Sequence, residues 1–149
     1  MLLSLFAVGQ NAAHALVPDI YPAPSQAKHD LSAALGAAAA TQKRVILDFG
    51  GNWCPDCHAL DAYFHDPANQ RIIEGNYILV HINIGRLDEN LDIAERYAIP
   101  LRKGVPALAV LDEKGQLLFS QKNGEFEAMH RMQSAAVTDF LLHWQRPKT

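Results

Sequence analysis

The chain has 149 residues, 49% of them hydrophobic, which fits one domain able to bury a sizeable core. It carries 13 basic and 16 acidic side chains, and no cluster of Lys and Arg is long enough to mark a nucleic-acid footprint. We therefore expect no nucleic-acid partner. We also expect no stable membrane insertion, because no apolar run reaches the ~18 residues of a membrane span.

The first 24 residues differ in character from the rest and are predicted to form an N-terminal leader or extended arm. An apolar stretch at 2–8 is followed by Ala13-His14-Ala15, the A-x-A pattern of a cleavage site, and then by three prolines. These features favour a signal-peptide remnant and a periplasmic or otherwise exported protein. No Lys or Arg precedes Lys28 to supply a basic n-region, so a cytoplasmic location with a packed or disordered arm stays open. Residues 25–149 are predicted to be the folded domain.

The domain begins with a helix and continues into a buried strand. Apolar positions at helical spacing predict a helix over 25–40, with Ser25 as its N-cap. The run 44–49 is rich in β-branched and large apolar residues, which predicts a central strand buried on both faces. Glycines at 50 and 51 then turn the chain into the next helix.

The remaining pattern alternates between helices and strands, giving the order α, β, α, β, α, β, β, α. The further predictions are a helical piece from Asp66-Pro67 to about 74, a strand at 77–84, a loop at 85–90, a helix at 91–97, strands at 106–111 and 117–121, and a last helix striped by Val137, Phe140, Leu141 and Trp144.

The only two cysteines, Cys54 and Cys57, lie between the central strand and a helical pattern. A thiol at a helix N-terminus faces the positive end of the helix dipole, which favours the thiolate that attacks disulfides. Pro55 suits the first helical turn. The spacing predicts a redox pair in which Cys54, at an exposed tip, is the nucleophile and Cys57, on the buried helix face, is the resolving thiol. Two cysteines exclude a four-cysteine zinc site.

Three motifs carry a resemblance to a known family: Leu-Asp-Phe at 47–49, Trp-Cys-Pro-Asp-Cys at 53–57 and Gly-Val-Pro at 104–106. Over about residues 26 to 144 the chain resembles the thioredoxin-like protein-disulfide oxidoreductases, in particular the bacterial envelope branch of disulfide reductases and isomerase-like proteins. The resemblance implies a thioredoxin fold, an α/β structure with a central mixed β-sheet flanked by helices. It also implies an enzyme that needs no bound cofactor and acts on protein disulfides, with a redox partner that donates or accepts electrons.

The resemblance assigns a role to a charged residue in the central strand. Asp48 stands among apolar neighbours, where an unpaired carboxylate is costly. The matching aspartate of thioredoxins lies beneath the resolving cysteine and helps remove its proton. His81 occupies the position where many thioredoxins place a lysine beside that aspartate, so we expect a titratable modulator there. A histidine that is simply exposed on its strand is the alternative.

The resemblance also implies a substrate-binding surface. Pro106 is expected to be the cis-proline that faces the active site, and the backbone of Val105 to pair with an extended segment of the substrate. Trp53 is expected to offer an apolar contact to partners, with packing in the core as the alternative.

The charge of Asp56 opposes the Cys54 thiolate, while the helix terminus favours it by a similar amount. The sequence therefore does not settle the redox potential, although a proline-aspartate dipeptide and a buried aspartate favour a reductase or isomerase over an oxidant.

A binding module is the alternative from another functional class. With His58 the motif spells C-x-x-C-H, a haem-attachment pattern, and a cysteine pair with a histidine can also hold a soft metal. The segment 122–133, which contains Phe126 and Met129, is interpreted either as shaping substrate access or as a packed loop.

Overall fold

The computed structural model describes residues 17–148. The predicted cleavage pattern at 13–15 and the apolar stretch at 2–8 lie outside the described residues. The elements are α1 (Ala27–Thr41), β1 (Arg44–Gly50), α2 (Pro55–Phe64), α3 (Pro67–Asn76), β2 (Tyr77–Asn83), α4 (Leu91–Arg96), β3 (Ala107–Leu111), β4 (Leu117–Ser120) and α5 (Ser134–Trp144), with 3₁₀ turns at Pro24–Gln26, Leu101–Lys103 and Met129–Arg131. None of the helices in this part of the chain has the length and apolar character needed to cross a membrane.

The sheet is mixed, with the strand order β2-β1-β3-β4. Strand β1 runs parallel to β2 and antiparallel to β3, and β4 pairs antiparallel with β3. The predicted α/β architecture with a central mixed sheet flanked by helices is confirmed, and β1 is a central strand with both faces covered.

The two faces of β1 pack against different helices. Val45, Leu47 and Phe49 belong to a core shared with α1 and α4, whereas Ile46 belongs to a core shared with α2 and α5. Because successive side chains of a strand point to opposite faces, Asp48 points to the same side as Ile46, toward α2. The alternation of the strand thus decides that the one carboxylate of β1 faces the cysteine-bearing helix.

The predicted cap of the first helix is wrong. Ser25 lies inside the 3₁₀ turn Pro24–Gln26, and α1 follows with Gln26 at its N-cap and no side-chain cap hydrogen bond. Pro24 stands at the first position of this turn, where its fixed φ suits helix entry, so the chain becomes helical one residue before the serine.

The register brings three chain segments to one end of the sheet. Gly50 at the end of β1 pairs with Asn83 at the end of β2, and Phe49 pairs with Ala107 at the start of β3. The turn that carries the cysteines and the loop that precedes β3 therefore meet at the same edge.

Candidate functional site

Cys54 is the N-cap of α2. Its backbone is extended, with φ −90° and ψ 112°, and its sulfur accepts a hydrogen bond from the backbone N of Cys57 at 3.2 Å. The sulfur also lies 3.7 Å from the Val105 carbonyl oxygen. The expectation of an exposed tip is wrong, because Cys54 is only 4% exposed. Ile20, Tyr21 and Val105 pack around the two cysteines and cover it.

The two thiols, both free, differ in their acid strength. A hydrogen bond with the Cys57 side chain lowers the pKa of Cys54, although burial and the charge of Asp56 oppose this shift. The same hydrogen bond, followed by burial and the charge of Asp48, raises the pKa of Cys57 far above that of an ordinary thiol. Cys57 is fully buried. The site therefore favours a thiolate at Cys54 and a protonated thiol at Cys57.

Asp48 is fully buried and both of its oxygens are hydrogen-bonded. The Tyr21 hydroxyl donates to Oδ1 at 2.9 Å, and Nδ1 of His81 lies 2.9 Å from Oδ2. His81 is the residue paired with Asp48 across β1 and β2, so both side chains point to the same face. The structure thus places the predicted pair side by side, with the histidine half-buried rather than free on its strand.

The environment of His81 favours its charged form. Burial acts to lower the pKa of His81, but the hydrogen bond to Asp48 and the charges of Asp48 and Asp61 outweigh it, and the pKa is raised. Asp61, on α2, lies 3.9 Å from Nε2 of His81. The imidazole therefore bridges two carboxylates at the edge of the buried site.

Tyr21 was missed by the sequence interpretation, which assigned it to the arm 1–24. It is only 1% exposed and packs on both cysteines. The side chain of Asn52, in the turn before Cys54, holds its backbone: Oδ1 accepts from the Ile20 and Tyr21 amides, and Nδ2 donates to the Tyr21 carbonyl. A single aromatic residue in a proline-rich stretch carries no sequence signal for this contact.

Asp56, between the cysteines, is held by a residue 74 positions later. The backbone N and the imidazole Nδ1 of His130 lie 2.8 Å and 2.6 Å from its Oδ1. Partial burial opposes the shift, but these two hydrogen bonds lower the pKa of Asp56. Phe126 and Met129, in the same segment as His130, are buried, so 122–133 packs on the domain and also contacts the cysteine motif.

Of the predicted substrate-binding residues, Val105 lies against the buried Cys54 sulfur. The Val105–Pro106 peptide bond is cis, and the buried Gln121 donates to the Pro106 carbonyl while accepting from the Leu108 amide. The Trp53 indole donates to the Gly85 carbonyl at 2.6 Å and stays 40% exposed. Trp53 is therefore a surface residue and not a core residue.

The soft-metal part of the alternative interpretation finds no ligand set in the described structure. Within residues 17–148, no three His, Cys, Asp or Glu side chains are placed to hold a metal ion. His58 packs back on its own turn, with Nε2 at 2.7 Å from the Asn52 carbonyl oxygen.

Comparison with known proteins agrees with this geometry. A thioredoxin-like family model matches residues 26–113. The structure is similar to that of a disulphide isomerase from Xylella fastidiosa Temecula1, with 30% identity, a TM-score of 0.82, and coverage of 86% of this chain and 98% of that one.

More distant structures show the same fold. A thioredoxin from Thermus thermophilus is 21% identical with a TM-score of 0.56, covering 83% of each chain. A protein described as DsbH oxidoreductase is 16% identical with a TM-score of 0.57, covering 95% of this chain and 96% of its own. No curated protein sequence matches the chain.

Proposed function

Because the chain belongs to the thioredoxin-like family of disulfide oxidoreductases, we propose that it reduces or isomerises protein disulfides through a mixed disulfide on Cys54 that Cys57 resolves. The observation that carries this proposal is the opposite character of the two thiols. Cys54 has a lowered pKa at a helix N-terminus, and Cys57 is a buried thiol beside a carboxylate.

The reaction has two exchange steps. The Cys54 thiolate attacks one sulfur of the substrate disulfide, and the other substrate sulfur leaves as a thiolate that takes a proton from water. Cys57 then loses its proton, with Asp48 as the nearby acceptor, and attacks the Cys54 sulfur. The bond between Cys54 and the substrate breaks, the second substrate thiol is released, and two electrons have passed from the pair to the substrate.

Isomerisation uses the same first step. If a thiol of the substrate, rather than Cys57, attacks the mixed disulfide, the substrate leaves with a different pairing and Cys54 returns to its thiolate. The full burial of Cys57 and its raised pKa support a resolving step slow enough to allow this outcome.

The substrate is proposed to lie across the Val105–Pro106 loop. An extended peptide would hydrogen-bond to the backbone of Val105, whose carbonyl oxygen is already near the Cys54 sulfur. The exposed Trp53 indole, with the Arg86 guanidinium 5.3 Å from its ring centroid, supplies an apolar and cationic border to this surface.

A redox partner and an exported location complete the proposal. Each reduction leaves the pair oxidised, so a reductase needs a partner that returns two electrons. Protein disulfides persist mainly in oxidising compartments, and the leader-like residues 2–15 support export to the periplasm. Fractionation of cells that produce the full chain would test the location.

The enzymatic proposal is tested by single-cysteine variants assayed on insulin as a disulfide substrate. We expect Cys54→Ser to abolish insulin reduction, since the other thiol, that of Cys57, is fully buried. We expect Cys57→Ser to accumulate a mixed disulfide, visible as an added mass that dithiothreitol removes. Unchanged turnover by Cys54→Ser, or failure of Cys57→Ser to trap any substrate, would refute the proposal.

The direction of electron flow is measured by equilibrating the wild-type pair with glutathione and alkylating the remaining thiols. A potential near that of thioredoxin, about −270 mV, identifies a reductase. A potential near that of protein disulfide isomerase, about −180 mV, identifies an isomerase. A pair that forms no disulfide at any poise contradicts both functions.

A further inference from the structure

The resolving thiol and its proposed proton acceptor are not directly joined. Among residues 17–148, no hydrogen bond connects the Cys57 sulfur to Asp48, although the Asp48 charge acts on it. The Tyr21 hydroxyl packs near both groups. It donates to Asp48 Oδ1 at 2.9 Å and also lies beside the Cys57 sulfur.

The surroundings of Gly50 show that the hydroxyl and the sulfur lie near the same position. A Cβ placed on Gly50 would lie 2.6 Å from the Cys57 sulfur and closer still to the Tyr21 hydroxyl oxygen. Both atoms therefore converge on one point above the end of β1. The absence of a side chain at position 50 leaves the space in which they meet.

The segment that carries Tyr21 is held against the motif by side-chain amides. Asn52 makes three hydrogen bonds with the backbone of Ile20 and Tyr21, and the Asn83 amide donates to the Pro22 carbonyl at 2.9 Å. The Tyr21 and His81 rings pack in a T-shaped arrangement, with 5.2 Å between their centroids. These contacts fix the hydroxyl in a single place next to the reacting sulfur.

We propose that the Tyr21 hydroxyl relays the proton of the Cys57 thiol to Asp48 during the resolving step, an inference that rests on the proposed function. The hydroxyl oxygen accepts the thiol proton as its own proton passes to Asp48 Oδ1. Tyr21 ends with one proton, as it began, and Asp48 becomes a neutral carboxyl. The Cys57 thiolate then attacks the Cys54 sulfur and displaces the substrate thiolate.

The chemistry of Tyr21 suits a relay rather than a base. Burial, followed by the charges of Asp48 and Cys57, raises the pKa of the hydroxyl well above its usual value. Tyr21 therefore stays neutral and can only exchange one proton for another. The titratable groups that face this network are Asp48 on β1, His81 on β2, and Asp61, Cys54 and Cys57 at α2.

The relay is tested by Tyr21→Phe, which keeps the ring and removes the hydroxyl. Reduced protein is mixed with a synthetic peptide closed by one disulfide, quenched in acid at set times, and analysed by mass spectrometry. We expect the mixed disulfide to form within twofold of the wild-type rate and to be resolved about 10-fold more slowly or worse, because proton transfer by a positioned group contributes at least this much. The pH profile of the resolving step should shift as well, since Asp48 loses a hydrogen bond.

The matched control is Tyr77→Phe. Tyr77 is also buried, and its hydroxyl donates to the Leu141 carbonyl in the core formed with α5, away from the sulfurs. Each variant loses one buried tyrosine hydrogen bond, and the loss should be larger for Tyr21, which donates to a carboxylate rather than to a neutral carbonyl. Only Tyr21→Phe should slow resolution.

If Tyr21→Phe resolves the mixed disulfide with the rate and pH profile of the wild-type protein, the relay is overturned and the proposed function still stands. Equal slowing of both exchange steps would show that Tyr21 only shapes the motif, and overturns the relay too. Failure of the wild-type protein to exchange with the peptide disulfide at all, together with failure of Cys57→Ser to trap it, would instead refute the proposed function.

A measurement on the unaltered protein covers the case in which Tyr21→Phe does not fold. The rate of the resolving step is recorded in mixtures of light and heavy water. Two protons move in the relay, so a plot of the rate against the deuterium fraction of the solvent should be curved. A straight line indicates a single proton in flight and contradicts the relay.

Discussion

Cys54 and Cys57 lie one turn apart at the start of α2, yet their sulfurs meet different surroundings. The Cys54 sulfur accepts from a helix N-terminal amide and faces the Val105 loop. The Cys57 sulfur is sealed between α2 and β1, near Asp48 and Tyr21. The difference supports the proposed division of tasks between two chemically identical groups. A helix terminus stabilises one thiolate, and burial near a carboxylate keeps the other thiol protonated.

The largest expected effect comes from removing Asp48, the proposed acceptor of the Cys57 proton. Asp48→Asn should slow the resolving step about 100-fold at pH 7, the typical contribution of general base catalysis, while attack by Cys54 changes little. Acid-quenched single turnovers separate the two steps. Asp30→Asn, on the surface of α1, is the control. Equal loss in both steps would remove the proposed division of labour between the thiols.

The close packing of Gly50 against the Cys57 sulfur and the Tyr21 hydroxyl can be disrupted sterically. Gly50→Ala places a methyl group against the Cys57 sulfur and the Tyr21 hydroxyl, so we expect a loss of about 1–3 kcal/mol in the free energy of unfolding. Gly36→Ala is the matched control, because a Cβ there meets nothing within 4 Å and lies in α1. It should stabilise the protein by about 0.5–1 kcal/mol. Urea denaturation measures both, and an unaffected Gly50→Ala would show that this packing is not tight.

The pH dependence of the free energy of unfolding tests the interaction of His81 with Asp48. The pKa of His81 is raised in the folded state, so its charged form is stabilised there. This contribution is fully present below the unfolded pKa of about 6.5 and is lost as the pH rises through the folded value. His81→Gln should therefore destabilise the protein more at pH 6 than at pH 9, as measured by urea denaturation.

The same comparison in an Asp48→Asn background isolates the cause. If Asp48 is the partner that raises the pKa of His81, the pH-dependent part of the His81→Gln effect should largely disappear in the Asp48→Asn background. A difference that persists undiminished assigns the shift to Asp61 instead.

The smallest expected effect lies on the Cys54 side. Asp56→Asn removes the charge that opposes the Cys54 thiolate, so the pKa of Cys54 should fall further. A change of about 1 kcal/mol corresponds to a potential about 20 mV more oxidising. Glutathione equilibration measures the potential, with Asp139→Asn on the exposed face of α5 as the control. A more reducing potential would reverse the assigned role of Asp56.

The order and type of the elements were predictable because the hydrophobic pattern repeats within each segment. The strand predicted at 44–49 is observed as Arg44–Gly50, and the one predicted at 77–84 as Tyr77–Asn83. The error at Ser25 is local, since the sequence shows a good capping residue but not where the first turn begins.

The proximity of Asp48 and His81 was also predictable, because aligned strands place residues in register and alternation then selects the face. The burial of Cys54 was not, since it depends on Ile20, Tyr21 and Val105 folding over the motif from two distant segments. The contact of His130 with Asp56 spans 74 residues and has no periodic signal.

The sequence by itself determined the spacing of the two cysteines, the helix that presents them and the strand that carries Asp48, since these follow from local spacing and periodicity. Only the tertiary structure decided that Tyr21 and His130 join the site, that Cys54 is covered, and that the two thiols differ in acidity. These properties depend on side chains brought together by loops, and the electrostatic and steric effects of such contacts exist only once the chain has folded.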